Sequence, residues 1–173
     1  VLVLALQIGL LNHLCSADPT DGFTNVPLTN ANFELQKPYD IPLSERYSYG
    51  DGVHKLWVYA NDKPHDPNSH TQPPRLAASH GATTIILRIY DGDMRFYSGD
   101  LVTTDFYDKW FWVNLIHDVD GGLLTIFIDG EQKFRHKDQG PGDLYFKCGV
   151  YAAPSNISYY MESRWRDIRI YRN

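Results

Sequence analysis

Tyr145, Lys147, Gly149 and Tyr151 occupy alternate positions of the run Leu144-Tyr-Phe-Lys-Cys-Gly-Val-Tyr151. In an extended strand alternate side chains share a face, with successive members about 7 Å apart. Two phenols and an ammonium would then line one surface, and Gly149 would leave room for a ligand to approach the backbone. Phe146, Cys148 and Val150 would form the opposite, core face. Hydroxyaryl and amine groups so spaced suit a sugar or a carboxylate. The alternative is an edge strand whose Tyr and Lys simply reach solvent.

Other residues repeat parts of this chemistry. Lys55, Trp57 and Tyr59 share one face of a second alternating run, with Leu56 and Val58 opposite. They are candidate ligand groups, or else an exposed outer face. Arg88 shares a face with Thr84 and Tyr90 and offers a cation to an anionic ligand or to a structural carboxylate. Asn114 shares a face with Trp112 and could bind sugar. His117 alternates with Leu115, Val113 and Phe111, which fits a core-edge histidine better than a base. Arg164 and Arg166 are expected in surface ion pairs. Cys148 reads as a small core residue, since a reactive thiolate needs a base and access. The histidines at 65, 70 and 80 flank or lie in a Pro-rich loop that imposes no coordination geometry, so no metal and no cofactor are expected.

These groups must be positioned by strands. No helical periodicity of useful length occurs, and alternating runs recur between turn signals, as in an antiparallel all-β sandwich. Expected strands are Asn32–Gln36, Val53–Tyr59, Thr83–Tyr90, Met94–Ser98, Trp110–Asp118, Leu123–Asp129, Gln132–His136, Leu144–Ala152 and Arg164–Tyr171. Asp51-Gly52, Asp91-Gly92, Asp120-Gly121-Gly122 and Asp129-Gly130 supply the positive φ of tight hairpin turns. A hairpin across Asp129-Gly130 would pair Thr125–Asp129 with Glu131–Arg135. Residues 61–79 hold Pro64, Pro67, Pro73 and Pro74 and are expected as a long loop.

With 173 residues the chain has the length of one domain with a real core. Its net charge of −5 and pI near 5.7 argue against a nucleic-acid partner, so any anion must be held by a local positive cluster. Twelve Tyr and four Trp favour β structure and sugar-facing surfaces.

Residues 1–17 stand apart. Val1 to Leu11 is apolar except at Gln7 and Gly9, and Cys15-Ser16-Ala17 has the small residues of a cleavage site. The segment is expected to be a secretory signal peptide whose true start lies further upstream, leaving 18–173 as the mature domain. Cleavage would remove Cys15 and leave Cys148 without a disulfide partner. Secretion also makes Asn156-Ile157-Ser158 a glycosylation acceptor at Asn156. The expected destination is the secretory pathway, then the cell wall, the extracellular space or the vacuole.

Several long motifs occur in order: Asp18-Pro-Thr-Asp-Gly-Phe, Gln36-Lys-Pro-Tyr-Asp-Ile-Pro, Arg46-Tyr-Ser-Tyr, Gly52-Val-His-Lys-Leu-Trp-Val-Tyr, Asp62-Lys-Pro-His, Asp108-Lys-Trp-Phe, Asn114-Leu-Ile-His-Asp-Val-Asp, Tyr145-Phe-Lys-Cys-Gly-Val-Tyr and Tyr160-Met-Glu-Ser-Arg-Trp-Arg-Asp-Ile. Together they resemble the plant citrate-binding-protein group, itself similar to the alginate lyase 2 superfamily with polysaccharide lyase family seven. The resemblance implies a jelly roll of two antiparallel sheets, one of them concave. In the lyase branch it implies β-elimination on uronate polymers. There a carboxylate neutraliser, a base and an acid act together, and Tyr151, with Lys147 beside it, matches the tyrosine that serves as acid and often base.

The chain departs from the lyase pattern. No Arg-Ser/Thr-Glu-x-Arg and no Gln-x-His occurs, and Ala153 stands where a Gln usually ends the tyrosine motif. Arg75 matches the start of the first motif, but no Glu or second Arg follows. A block on the order of 35 residues, two or three strands, is expected to be missing near 73–82, leaving the jelly roll incomplete. Without the neutralising groups the expected function is non-catalytic binding of a citrate-like polycarboxylate or an acidic glycan by a monomer that needs no membrane after leader cleavage. Tyr145, Lys147, Tyr151, Lys55, Trp57, Tyr59 and Arg88 would form the site. The alternative is a polysaccharide lyase with Tyr151 as its catalytic residue.

Overall fold

A computed structural model describes residues 18–68, 84–97, 99–140, 146–153 and 155–173. The expected leader at 1–17, the expected gap near 73–82 and Tyr145 lie outside the described residues. Among those described the fold is all-β, with antiparallel ladders, two single 3-10 turns and no α-helix. In chain order the strands are β1 Thr24–Val26, β2 Tyr47–Gly50, β3 Val53–Tyr59, β4 Leu87–Tyr90, β5 Asp93–Phe96 and β6 Leu101–Thr103. They continue with β7 Val113–Asp118, β8 Leu123–Ile128, β9 Glu131–Lys137, β10 Tyr160–Trp165 and β11 Ile170–Arg172.

The described residues form two compact units, one from 18–22 and 84–140, the other from 23–68 and 146–173. The first holds two three-stranded sheets, β4-β5-β6 and β7-β8-β9. Met94, Phe96 and Val102 of one sheet and Ile126 and Ile128 of the other share a single buried cluster. In β5 and β8 every second side chain is buried, which is what a strand with one core face requires. The β8–β9 turn behaves as the sequence implies. Asp129 and Gly130 have φ of 50° and 81°, as the twist of a two-residue hairpin demands. Thr125 faces Arg135 and Ile128 faces Glu131, with a bulge between Ile126 and Phe127. His117 is half-buried, and its Nε2 lies 2.8 Å from Asp138 Oδ2, which ties β7 to the end of β9.

The second unit holds the sheet β10-β3-β2 and the ribbon β1-β11. Leu56, Val58 and Val150 form its buried cluster, with Tyr47, Ala152, Met161 and Trp165 packed around it. Asp51 and Gly52, again at positive φ, close β2 onto β3 and put Tyr47 opposite Leu56.

Several expectations need correction. Residues 146–152 form no strand and pair with no ladder among the described residues. Alternation of side chains does not make a strand without a neighbouring edge to bond. Instead the segment packs by side chains, with Val150 buried in the Leu56 cluster while Phe146, expected inside, is exposed. Asn32–Gln36 is irregular after a 3-10 turn at Asn30–Asn32. The strand expected from Thr83 begins only at Leu87, and the one expected from Trp110 begins at Val113. The run Arg164–Tyr171 divides between β10 and β11, with Asp167 at φ 53° in the break. The strands β1, β2 and β6 were not foreseen; each has only three or four residues, too few for a periodic signal.

His54 on β3 stands among aromatic rings. Its Nδ1 shares a 2.9 Å hydrogen bond with the Tyr47 hydroxyl, and the rings of Tyr47, Tyr49 and Phe33 surround it. Burial lowers its pKa below the ordinary value of 6.5. The folded state therefore binds fewer protons than the unfolded chain just below that value. The stability tied to neutral His54 is complete above pH 6.5 and is lost as pH falls through the folded value. The melting temperature should fall between pH 7.5 and 5, and His54→Gln should flatten that fall. An unchanged slope in the variant would assign the pH dependence to other groups.

Candidate functional site

The outer face of β10-β3-β2 gathers the chemistry. Because Leu56 and Val58 turn to the core, Lys55, Trp57 and Tyr59 turn away from it. The register sets Tyr160 opposite Tyr59, Glu162 opposite Trp57 and Arg164 opposite Lys55. Two cations are thus directly opposed on neighbouring strands, an arrangement that is unfavourable without an anion between them. Glu162 supplies that anion. Its Oε2 lies 3.0 Å from Lys55 Nζ, and its Oε1 accepts a 2.7 Å hydrogen bond from Arg164 Nε. The Tyr160 hydroxyl donates to the same Oε2.

One carboxylate is therefore held by an ammonium, a guanidinium and a phenol. Burial works to raise the Glu162 carboxyl, but the bonds from Tyr160, Lys55 and Arg164 outweigh it and hold the group below its usual range. Burial, then the bond to Glu162, pushes the Tyr160 phenol up to about 12, so it stays a donor at neutral pH. Lys55 also lies over the Trp57 ring, 5.4 Å from its centroid. The cradle faces water: the side chains of Lys55 and Arg164 are 36% and 58% exposed.

A second ion pair closes the far end of β3. Arg46 grips Asp62 with two bonds, Nε to Oδ2 at 2.7 Å and Nη2 to Oδ1 at 2.6 Å. Asp62 also accepts the Tyr59 N–H at 2.9 Å, and the Arg46 guanidinium lies 4.8 Å from the Tyr59 ring centroid. These side chains are only 12% and 3% exposed. Beside them an open hollow of about 810 Å³ is lined by Trp57, Tyr59 and Tyr159 and by Asp40, Glu45, Asp62, Arg46 and Lys63. Its ionisable walls carry more carboxylates than cations, so the hollow itself is a poor seat for an anion.

The residues expected to form one site are distributed. Lys55, Trp57 and Tyr59 share the outer face of β3. Lys147 is half-buried and Tyr151 exposed, on the segment whose Val150 packs against the opposite, Leu56–Val58 face. A Cβ built at Gly149 would lie 4.0 Å from Leu56 Cδ2, so the gap foreseen for a ligand opens onto a core leucine. Arg88 stands on β4 of the other unit, across from Arg95, whose guanidinium bonds Asp93 at 2.8 Å. Burial pushes the Cys148 thiol up to about 11, as an inert core thiol requires. Asn156 is exposed in a turn, and the hydroxyl of the following Ser158 donates to the Tyr160 carbonyl at 2.7 Å. Among the described residues no group of three or more His, Cys, Asp or Glu is placed to hold a metal ion.

Glu162 and Tyr160 were missed as site residues, although Tyr160, Glu162 and Arg164 alternate as plainly as Lys55, Trp57 and Tyr59. Arg164 was expected in a surface ion pair, which it makes. Nothing local joins Arg46 to Asp62, which lie sixteen residues apart.

A protein of Hevea brasiliensis named citrate-binding protein is 46% identical over 195 residues, spanning 93% of this chain and 82% of the relative. No protein-family model and no solved structure matches the chain.

Replacing Asp62 with Asn should leave the buried guanidinium of Arg46 without its counter-charge. Urea unfolding is expected to show a loss of about 3 kcal/mol. A loss below about 0.5 kcal/mol would place the pair with ordinary surface bridges.

Proposed function

The chain belongs to the citrate-binding protein family, and from that premise we propose that it is a non-catalytic binder of a small polycarboxylate such as citrate, held on the outer face of β10-β3-β2. One observation carries the proposal: Lys55 and Arg164 stand directly opposite each other, half-exposed, with the phenol of Tyr160 beside them. Neighbouring strands lie about 4.8 Å apart, a span that carboxylates joined through a few bonds can bridge. The overall charge of −5 repels anions at long range, so capture must come from this local pair.

Acidic glycans are the other ligand class that the same cations could take, with Trp57 and Tyr59 offering rings to a sugar face. The lyase alternative would need a neutralising cation close to Tyr151. Lys55 and Arg164 project from the opposite face of the β10-β3-β2 sheet to the one on which the Tyr151 segment packs, so these two cations do not serve Tyr151, which has only Lys147 near it in sequence.

Kinship to the alginate lyase 2 superfamily, with a block missing near residues 73–82, belongs to the same proposal. It is supported by an alignment of 195 residues to a chain of 173, which must include positions of the relative that have no counterpart here. It is also supported by the 146–152 segment, which has no ladder partner among the described residues. Entry to the secretory pathway by cleavage after Ala17, glycan attachment at the exposed Asn156 and a monomeric state complete it. Transcripts spanning codons 72–82 should include a longer form carrying the block; an uninterrupted genomic reading frame across that junction would instead make the short chain the native form.

Calorimetric titration with citrate should give saturable heat. Lys55→Met and Arg164→Gln should each weaken binding by roughly tenfold or more, the worth of a charge-assisted contact. Saturation by oligouronates alone would move the ligand to acidic glycans, release of unsaturated uronate would establish a lyase, and silence toward both ligand classes at millimolar concentration would end the proposal.

A further inference from the structure

We infer that Glu162 is a built-in competitor that occupies the carboxylate seat in the absence of ligand and is displaced when a polycarboxylate binds. The inference rests on the binding function proposed above. Glu162 already makes the contacts that an incoming carboxylate would make, receiving Lys55, Arg164 and the Tyr160 hydroxyl. Its side chain is 20% exposed and stands at the open face of the sheet, so rotation about its own bonds can carry it to water. No strand has to move, because the register that opposes Lys55 to Arg164 is held from the other face by Leu56, Val58 and Met161.

An intramolecular carboxylate acts at an effective concentration in about the millimolar range or above. A monocarboxylate replacing it gains one set of contacts and gives up another. A ligand with two or three carboxylates keeps further groups to engage Lys55 and Arg164 separately and wins the exchange. Glu162 thereby sets a threshold that selects for multiple carboxylates, specificity arising from a penalty on the wrong ligand. While the seat is empty of ligand, Glu162 also keeps the opposed cations from repelling each other.

The test compares the full chain with Glu162→Gln, which keeps the side chain's shape and an oxygen for Tyr160. Circular dichroism melts establish that both fold. Citrate should bind the variant roughly threefold to tenfold more tightly, and acetate should gain at least as much. In a Lys55→Met/Arg164→Gln background the same Glu162 change should bring no gain. Equal or weaker citrate binding by Glu162→Gln, with the parent binding normally, would overturn the inference and leave the binding function standing; it would make Glu162 an organiser of the cations. A gain that persists without Lys55 and Arg164 would also overturn it, as mere relief of general repulsion. If neither parent nor variant binds citrate, the binding function and the inference fail together.

Discussion

The pairing of β3 with β10 sets Lys55 across from Arg164, and much of this unit follows from it. Two opposed cations on adjacent strands destabilise a sheet unless something negative lies between them. Glu162, one step along the same face, meets both, and the Tyr160 hydroxyl donates to it as well. The chain thus carries a permanent need for a carboxylate at one spot on an otherwise anion-repelling molecule.

That need is fixed in place by packing on the reverse of the sheet. Leu56 and Val58 are buried, with Met161 and Trp165 of β10 packed against their cluster. A slip of β3 by one residue would turn Lys55 and Trp57 into that apolar layer and bring Leu56 and Val58 to water, so the hydrophobic pattern alone excludes it. The Asp51-Gly52 turn fixes β2 against the other edge of β3. Charge placement on the outer face is therefore a consequence of the core on the inner one.

What could be read from the chain follows the same division. Patterns that report one strand and its turn were legible: the two faces of β3, the Asp-Gly hairpins and the pairing of Thr125 with Arg135. Patterns that require a partner were not. The alternation of 144–152 is as regular as that of β3, yet 146–152 has no edge to join among the described residues and rests on Leu56 by Val150 alone of its buried side chains. The site was half legible for the same reason. Lys55, Trp57 and Tyr59 could be placed on one face, but the identity of the strand beside them, and with it Glu162 and Arg164, depends on a pairing of residues some hundred positions apart. Aromatic richness drew attention to Tyr145–Tyr151, whereas the stronger signal for anion chemistry was Tyr160-Met-Glu-Ser-Arg164, where a carboxylate and a guanidinium alternate.

Burial separates two ion pairs that look alike on paper. Arg46 and Asp62 make a bidentate bridge with side chains 12% and 3% exposed, and Asp62 also caps the backbone at Tyr59. Breaking it would strand a charge away from water, so it acts as a rivet at the end of β3. Lys55 and Glu162 meet at 3.0 Å with side chains 36% and 20% exposed, where water can replace either partner and the net worth of the pair is small. A weak, hydrated pair is what an exchangeable seat requires, since a ligand has only to outcompete what is already there. The same chemistry, carboxylate against cation, thus differs in strength with its surroundings: it locks the scaffold where it is dry and holds only weakly where it is wet.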